Sequence, residues 1–546
     1  LLSTALMATL AVVIAFRAAF GGYFMLDDFG MMSIARFLES PLQPFYQQHV
    51  PGGVFYRPVG MLLWWLSERL FGTTASLHYM LNLGLHLCVA AALYSVILKL
   101  AENRWLALLA AIAFASHPIG LGTAAWLSDR FDLLSLLFGL LGLRCALDFS
   151  DTASSRSLAA CTVLLGLSLL SKEIGLALVL TTAGYLLVFS RDLRLALRWR
   201  AVAVLLLLLA GYWFARSMVL SSPTGGALMT LNSPLQLLSD GVSHWAAGWI
   251  QYSSYWQQMH GWRAFATASG LALLAILVIV ALFQPWTRRR VLMIALGMSV
   301  VAATALLQWP LLGFITIPFA DDAKVIERVV NSRYFYTTLA GFLIAMAGVL
   351  EPLGRRGRVV VGMSSLMLSL LVLAWLGASQ HLLRQYRNET LLQRELVQSA
   401  NAHIRTFQLK QPGCQIYLLD VKNWAFTWVS DEAIKATYPE LDAIGRCLIQ
   451  TEHTPWYHIT SVDDPDPGFW LPLQFAHGHT FKHSSSAIGR GYFVGLNLMS
   501  DSKINIGTPA YYLAWQNDNF VDVSDEVRAG RRVPRFLCNR SADECH

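Results

Sequence analysis

Charged residues are scarce in this chain: Asp, Glu, Lys and Arg make up only 14% of its 546 residues. A soluble domain usually carries about 25% charged residues, so this scarcity excludes a purely soluble enzyme and a disordered chain. The chain also lacks low-complexity segments. Apolar residues are abundant instead, at 55% of the sequence, and the mean hydropathy is +0.47. Many apolar runs are long enough to cross a bilayer, which takes about 20 residues. They predict a polytopic α-helical membrane protein.

Apolar runs separated by short polar breaks cover residues 1–379. They predict about eleven transmembrane helices. These lie near residues 1–20, 77–99, 105–117, 132–148, 158–171, 174–189, 199–218, 265–284, 291–309, 334–350 and 359–379. The first run has no cleavage site after it, and we interpret it as a membrane helix rather than a signal peptide. The run at 59–72 contains Ser67, Glu68 and Arg69, which favours an amphipathic helix at the membrane surface.

Arginine predicts the orientation of these helices. Short loops carry clusters of arginine, and the positive-inside rule places such loops in the cytoplasm. The arginines are Arg191, Arg194, Arg198, Arg200, Arg288, Arg289, Arg290, Arg355, Arg356 and Arg358. Topology therefore explains the net charge of +7, and no nucleic-acid partner is expected. The opposite side, which is the periplasm in a bacterial cell, carries the longer segments 21–76, 118–131, 219–264, 310–333 and the chain after about 380. We thus predict a multi-pass protein of the bacterial inner membrane.

Residues 380–546 are more polar than the preceding part. They predict a small, soluble, mixed α/β domain in the periplasm. The chain before it, at 1–379, is predicted to be a transmembrane catalytic domain whose first extracytoplasmic loop is 21–76. QIYLLDV and AIGRGYFVGLNLM have strand-like patterns, and DEAIKATYPELDAI has a helical one. The polar part holds four cysteines, and none has zinc-site spacing. They permit two disulfides, most simply Cys414–Cys447 and Cys538–Cys545, and other pairings stay open.

A pair of adjacent carboxylates, Asp27 and Asp28, follows the first predicted helix. Carboxylates at a membrane surface are costly unless they are solvated, paired or used. One of them can act as a general base while its neighbour binds a cation or orients an acceptor. The alternative is a helix cap for a segment that starts near Phe29.

Further polar groups lie where predicted helices emerge on the same side. They are His117 with Trp126, Asp129, Arg130 and Asp132; Ser171 with Lys172 and Glu173; Arg333 with Tyr334 and Tyr336; and Tyr56 with Arg57 and His49. Each has a structural alternative, namely a helix cap, a local ion pair or an interfacial anchor. Together they predict one cavity at the outer leaflet, suited to a lipid phosphate that carries a transferable group. A transporter would instead place charges near the bilayer midplane.

Several motifs recur in the order and at the spacing of a known family. They are YRPVGMLLWWLSERLFGTTASLHYMLNLGLHL, then HP followed by AWLSDRFDLL, then LLSKE, and then SRYFYTTLAGF. Over about residues 20–345 the chain resembles GT-C glycosyltransferases, in particular the protein O-mannosyltransferase-like proteins that carry tetratricopeptide repeats in eukaryotes. The resemblance implies a GT-C membrane fold, a polyprenyl-phosphate monosaccharide donor and inversion at the anomeric carbon. After residue 380 the expected repeats are absent, so the acceptor stays open between a protein, a lipid and a glycan.

The resemblance also implies roles for matching residues. Asp27 or Asp28 is expected to be the base, with Asp27 preferred, and Asp132 matches a second acidic position. The residues expected at the donor phosphate are Lys172, Arg333, Arg57 and Arg130. The supporting residues are Asp132, Glu173, His117, His49 and Tyr334. A divalent cation, Mg²⁺ or Mn²⁺, is a candidate cofactor, with Asp27 and Asp132 as candidate ligands.

Three other functions remain open from the sequence. A glycan polymerase or O-antigen ligase would use a diphosphate-linked donor, and the loop 219–264 offers His244, His260 and Arg263 for that chemistry. A lipid-sugar flippase would move its lipid without forming a glycosidic bond. A non-catalytic assembly subunit would tolerate replacement of both Asp27 and Asp28.

Overall fold

The architecture is taken from a computed structural model. It describes residues 2–47, 55–190, 193–220, 261–308, 324–355, 358–407, 415–421, 423–437, 448–451 and 510–532.

Most of these residues are helical. In chain order the helices are α1 (Leu2–Phe20), α2 (Asp27–Phe37), α3 (Gln43–Tyr46), α4 (Pro58–Phe71), α5 (Ala75–Ala101), α6 (Arg104–Ser116), α7 (Pro118–Ala125), α8 (Arg130–Thr152), α9 (Ser155–Ser171), α10 (Gly175–Val188), α11 (Leu195–Val219), α12 (Trp262–Leu282), α13 (Arg288–Gln308), α14 (Lys324–Asn331), α15 (Arg333–Leu350), α16 (Arg358–Ile404), α17 (Trp424–Thr437) and α18 (Ser524–Arg528). Short 3-10 turns lie at Leu127–Asp129 and Glu351–Arg355. The strands are β1 (Gln415–Leu419), β2 (Leu448–Thr451), β3 (Ala510–Gln516) and β4 (Asn519–Asp522).

Each of the apolar segments predicted to span the membrane coincides with a helix. Among the residues that the structure describes, seven helices are long and apolar enough to cross a bilayer, or eight if α6 and α7 form one bent span. Helices α9 and α10 and the apolar part of α1 are shorter. The prediction of a multi-pass helical membrane protein is therefore supported, whereas the predicted number of eleven spans is not confirmed.

The dipeptide His117-Pro118 produces the bend between α6 and α7, which is 50°. Proline lacks an N–H and disfavours helical geometry in the residue before it, and His117 accordingly has extended angles, with φ −67° and ψ 136°. The His117 ring nitrogen Nδ1 accepts a hydrogen bond from the Ile119 backbone N–H at 3.2 Å, which caps α7. The bend directs the chain into the turn Leu127–Asp129 and thus places the polar start of α8.

Helix α4 confirms that the segment 59–72 is helical, and its position at a membrane surface stays a prediction. The helix packs closely on α8 because residue 60 is a glycine. A Cβ atom at Gly60 would lie 2.0 Å from a ring carbon of Phe131, which is far inside van der Waals contact. This close approach brings Arg57, immediately before α4, to the polar start of α8.

The four strands form one sheet in the order β2-β1-β3-β4. Strand β1 is parallel to β2 and β3, while β3 and β4 form an antiparallel hairpin. The segment QIYLLDV forms β1 as predicted, and DEAIKATYPELDAI is helical up to Thr437. AIGRGYFVGLNLM lies outside the described residues. A mixed α/β arrangement therefore exists near the C-terminus.

Helix α16 links the two parts without a break at residue 380. Its later turns pack against α17 and β4, and α17 also packs against α2. The strand-containing part therefore lies directly beside the helix that begins with Asp27.

Candidate active site

Four pairs of polar groups from distant parts of the chain meet around the start of α8. Asp28 binds Ser128, Arg333 binds Asp129, Lys172 binds Asp132, and Arg57 binds Glu173. At least one residue from each of the five polar segments predicted on one side of the membrane is thus brought into this cluster. The bend after α6, the close packing of α4 on α8 and the tight turn between α9 and α10 make this possible.

Asp28 is fully buried, and donors surround its carboxylate. Oδ1 accepts hydrogen bonds from the Ser128 backbone N–H at 2.8 Å and from its hydroxyl at 2.7 Å. Oδ2 accepts a hydrogen bond from the Met25 backbone N–H at 3.0 Å. Burial raises the pKa of Asp28 to about 7, and these hydrogen bonds with the nearby charge of Arg130 offset the rise only in part.

Asp27 differs from its neighbour because it is only half-buried. It is the first residue of α2, where the exposed backbone N–H groups of a helix favour a negative charge. It interacts electrostatically with the guanidinium group of Arg333. Asp27 thus remains accessible to a substrate, whereas Asp28 is buried and hydrogen-bonded to Ser128 and Met25.

Arg333, the first residue of α15, lies between aromatic rings and a carboxylate. Its Nη1 is 3.5 Å from Oδ1 of Asp129, and its Nη2 donates a hydrogen bond to the Tyr334 hydroxyl at 3.1 Å. The guanidinium carbon lies 4.3 Å from the ring centre of Trp126. The other carboxylate oxygen of Asp129, Oδ2, is buried and has no hydrogen-bond partner among the described residues. The Arg333 guanidinium group therefore lies beside a carboxylate oxygen of Asp129 that can still accept a hydrogen bond.

Lys172 follows α9, and its ammonium group binds the buried carboxylate of Asp132 at 2.5 Å. Asp132 lies in the first turn of α8 and is 2% exposed. The two charges neutralise each other, so this pair contributes no net charge to the cluster.

Glu173 binds two arginine residues, one immediately before α4 and one in the last turn of α11. It binds Arg57 at 2.9 Å and Arg216 at 3.3 Å. Burial by itself raises the pKa of Glu173, but attraction to Arg57 and Arg216 outweighs it and lowers the pKa to about 2. Glu173 is therefore ionised across the physiological range, and two guanidinium groups share its single charge.

Arg130 lies inside the protein and not on the face of the cluster. It is fully buried, stacks 3.7 Å from the Trp64 ring centre and donates a hydrogen bond to the Ser67 hydroxyl at 2.7 Å. Its remaining described contacts are the Leu127 carbonyl and a ring nitrogen of His78. Because these internal groups occupy the guanidinium fork, we do not assign a lipid phosphate to Arg130.

The other predicted residues fall at several places. His117 is buried at the α6–α7 bend, where it caps α7 and packs against Trp375 with 4.7 Å between ring centres and a tilt of 59° between ring planes. The Tyr334 hydroxyl accepts a hydrogen bond from Arg333. His49 and the disulfide candidates lie outside the described residues. These candidates are Cys414, Cys447, Cys538 and Cys545.

The contacts of the two predicted metal ligands do not favour a shared cation. Asp132 already binds the Lys172 ammonium, which would repel a metal ion at the same carboxylate. The described part of the chain contains no group of three or more His, Cys, Asp or Glu side chains arranged to hold a metal ion. The divalent cation stays a prediction.

Sequence reasoning missed Arg216 and the part played by Ser128. Arg216 is the only charged residue between 201 and 219, and it lies at the end of α11 away from Arg198 and Arg200. A buried arginine at the end of a span predicted to face the periplasm departs from the positive-inside rule, and this departure is the signal that identifies it. No sequence signal singles out Ser128, because its role depends on a contact with a residue 100 positions away.

No protein-family model and no curated protein matches this chain. Among solved structures, the chain is similar to the oligosaccharyltransferase of Archaeoglobus fulgidus in complex with Zn and sulfate, with 12% identity, a TM-score of 0.46, and coverage of 92% of this chain and 67% of that chain. It is also similar to ArnT from Cupriavidus metallidurans bound to undecaprenyl phosphate, with 15% identity, a TM-score of 0.38, and coverage of 83% and 90%. A third similarity is to the archaeal oligosaccharyltransferase AglB from Archaeoglobus fulgidus with an inhibitory peptide and a dolichol-phosphate, with 12% identity, a TM-score of 0.41, and coverage of 94% and 69%.

Proposed function

We propose that this protein is an inverting, GT-C-type glycosyltransferase. It moves a monosaccharide from a polyprenyl-phosphate donor to an acceptor hydroxyl on the periplasmic face of the bacterial inner membrane. The observation that carries the proposal is an accessible carboxylate, Asp27, that interacts with Arg333, which in turn binds Asp129. Asp129 also interacts electrostatically with Lys172, and Arg57 and Arg216 bind the neighbouring Glu173. A base and a phosphate site are the two parts that this reaction needs.

The charges of the cluster favour one position for the donor phosphate. The opposite charges of Lys172 and Asp132 neutralise each other, and Arg333 lies beside carboxylates that include Asp129. In contrast, Arg57 and Arg216 share Glu173, so these three groups together carry a net charge of +1. Arginine offers a planar fork that suits phosphate oxygens. We therefore assign the phosphate to Arg57 and Arg216, with Lys172 beside them.

The reaction follows from these positions. The acceptor hydroxyl attacks the anomeric carbon while Asp27 accepts its proton, and the bond between that carbon and the phosphate oxygen breaks. The polyprenyl phosphate leaves as an anion and keeps the electron pair of the broken bond. Arg57 and Arg216 stabilise the developing negative charge, which is the kind of interaction that accelerates group transfer. Proton abstraction by a positioned base typically contributes roughly 100- to 10,000-fold.

Arg333 and Asp129 belong to the acceptor side in this scheme. The positive charge of Arg333 interacts electrostatically with the Asp27 carboxylate. The unused oxygen of Asp129 is a hydrogen-bond acceptor for a sugar or acceptor hydroxyl. The acceptor itself is a protein, a lipid or a glycan.

The test is a transfer assay with the purified protein, a panel of polyprenyl-phosphate monosaccharides and a membrane extract. Mass spectrometry follows the release of polyprenyl phosphate and the mass added to an acceptor. We expect release coupled to the addition of one sugar. Activity confined to a diphosphate-linked glycan would replace this proposal with the polymerase or ligase alternative. Movement of the intact lipid across the bilayer without a new glycosidic bond would identify a flippase.

A further inference from the structure

The segment that presents Asp27 is held at Tyr23 by three separate elements. The Tyr23 backbone N–H donates a hydrogen bond to the Thr390 hydroxyl of α16 at 3.0 Å, and its carbonyl accepts one from the Tyr79 hydroxyl of α5 at 2.8 Å. The Tyr23 hydroxyl lies 3.0 Å from the Thr437 hydroxyl at the end of α17. Tyr23 thus connects the loop before α2 to the strand-containing part of the protein.

The other end of α2 contacts the same end of α17. Arg36, in the last turn of α2, donates a hydrogen bond through Nη1 to the Ala436 carbonyl at 2.7 Å. Its Nε binds Glu68 of α4 at 2.8 Å. Ala436 and Thr437 are neighbours in sequence, so the last turn of α17 holds the segment from Tyr23 to Arg36 at both of its ends.

The backbone directly before Asp27 is strained. Leu26 has a φ of 50° and a ψ of −125°, a conformation that a side chain with a Cβ atom rarely adopts. Such a conformation persists only where surrounding contacts enforce it. The hydrogen bonds of Tyr23 on one side and of Asp28 on the other are the contacts that enforce it here. Loss of either set would allow Leu26 to relax and would move Asp27.

We propose that α17 is a positioning element for the catalytic segment, acting on Asp27 through Tyr23 and Arg36. The inference rests on the proposed function, because it takes Asp27 to be the base. It assigns a role in the reaction to the strand-containing part near the C-terminus, which contributes no residue to the polar cluster among those described. Tyr23 and Thr437 are positioning residues, since they act on Asp27 through the backbone of the loop.

The test uses the full-length protein in the transfer assay, with the variants Tyr23→Phe, Thr437→Val and the double variant. Each single variant removes the hydroxyl contact and preserves the shape of the side chain. We expect kcat to fall by about 3- to 10-fold, the factor that corresponds to one net hydrogen bond. KM for the donor should stay as in the wild type, and the thermal midpoint should fall by no more than the loss of one hydrogen bond explains. The double variant should lose no more than either single variant, because both remove the same contact.

Two further variants separate positioning from a general loss of structure. Thr437→Ser keeps the hydroxyl and should restore kcat. Tyr511→Phe changes a tyrosine of β3 that stacks on Phe407 and should leave kcat unchanged.

The outcomes distinguish this inference from the proposed function. An inactive Asp27→Asn variant, together with normal kcat for Tyr23→Phe and Thr437→Val, would overturn the positioning role alone. So would a fall in kcat that Thr437→Ser fails to restore, or additive losses in the double variant. An active Asp27→Asn variant would remove Asp27 as the base and overturn the positioning role with it, and normal turnover by Asp28→Asn as well would overturn the proposed function.

Discussion

Ser128 donates two hydrogen bonds to one oxygen of Asp28, although the two residues lie 100 positions apart. This contact joins the start of α2 to the turn that carries Asp129, so it fixes two parts of the polar cluster relative to each other. Both hydrogen bonds go to Oδ1 of Asp28, and its Oδ2 accepts the Met25 backbone N–H. Of the two adjacent carboxylates, only Asp27 is left accessible for proton transfer.

Replacement of Asp27 by asparagine tests whether Asp27, and not Asp28, accepts the proton. Asparagine has nearly the same shape but cannot accept a proton at neutral pH. We expect Asp27→Asn to lower kcat by about 100-fold or more and to leave binding of polyprenyl phosphate within about twofold. The measurement is release of polyprenyl phosphate by mass spectrometry, alongside binding in the same detergent.

Asp28→Asn is the matched comparison for that experiment. Its carboxamide oxygen can still face Ser128, but its NH₂ group would face the Met25 N–H, so two donors would meet. We expect lower thermal stability and partial activity. Normal turnover by Asp27→Asn with none by Asp28→Asn would reverse the assignment, and normal turnover by both would contradict the mechanism.

The raised pKa of Asp28 predicts how the stability of the folded protein depends on pH. Its pKa is 3.8 in a model peptide and about 7 in the folded protein. Between about pH 4 and 7 the folded state holds a proton that the unfolded state has lost, so the stabilisation from Asp28 falls as the pH rises and is lost above about 7. The difference in thermal midpoint between wild type and Asp28→Asn should therefore shrink from pH 4 to 7. A difference that is constant over this range would contradict a raised pKa.

Arg216 tests the position of the donor phosphate. Hydrogen bonds to charged groups are strong, so Arg216→Gln should weaken binding of polyprenyl phosphate by about 10-fold or more. Arg200→Gln is the control, because Arg200 is exposed near the opposite end of the same helix. Binding would be measured by titration of the protein in nanodiscs. Equal affinities for the two variants would remove Arg216 from the site.

Arg130 should behave differently, because its contacts are internal. Arg130→Gln leaves the Ser67 hydroxyl and His78 without their partner and uncovers the face of Trp64, so we expect a large drop in the thermal midpoint. Arg130→Lys should not restore it, since an ammonium lacks the planar fork. Donor affinity of the folded fraction should be unchanged. A selective loss of donor affinity at normal stability would return Arg130 to the phosphate site.

Much of the helical architecture follows from local sequence. Apolar runs of the required length predicted helices where the structure has them, and the proline after His117 accounts for the bend at the start of α7. The end of α16 did not follow, because its apolar pattern stops near 379 while the helix continues to Ile404. Beyond that point the helix packs on α17 and β4, and such packing sustains a helix that apolar periodicity no longer marks.

Composition and hydropathy report directly on the solvent that a segment prefers, so the chain alone indicates a membrane protein and the polar groups it could use for chemistry. The environment of each of those groups comes from the fold. The fold buried Asp28 and left Asp27 accessible, placed Arg130 in the interior, and brought Arg216 to Glu173. The physical reason is that partners far apart in sequence determine the burial and electrostatic environment of a side chain. No local pattern records those partners.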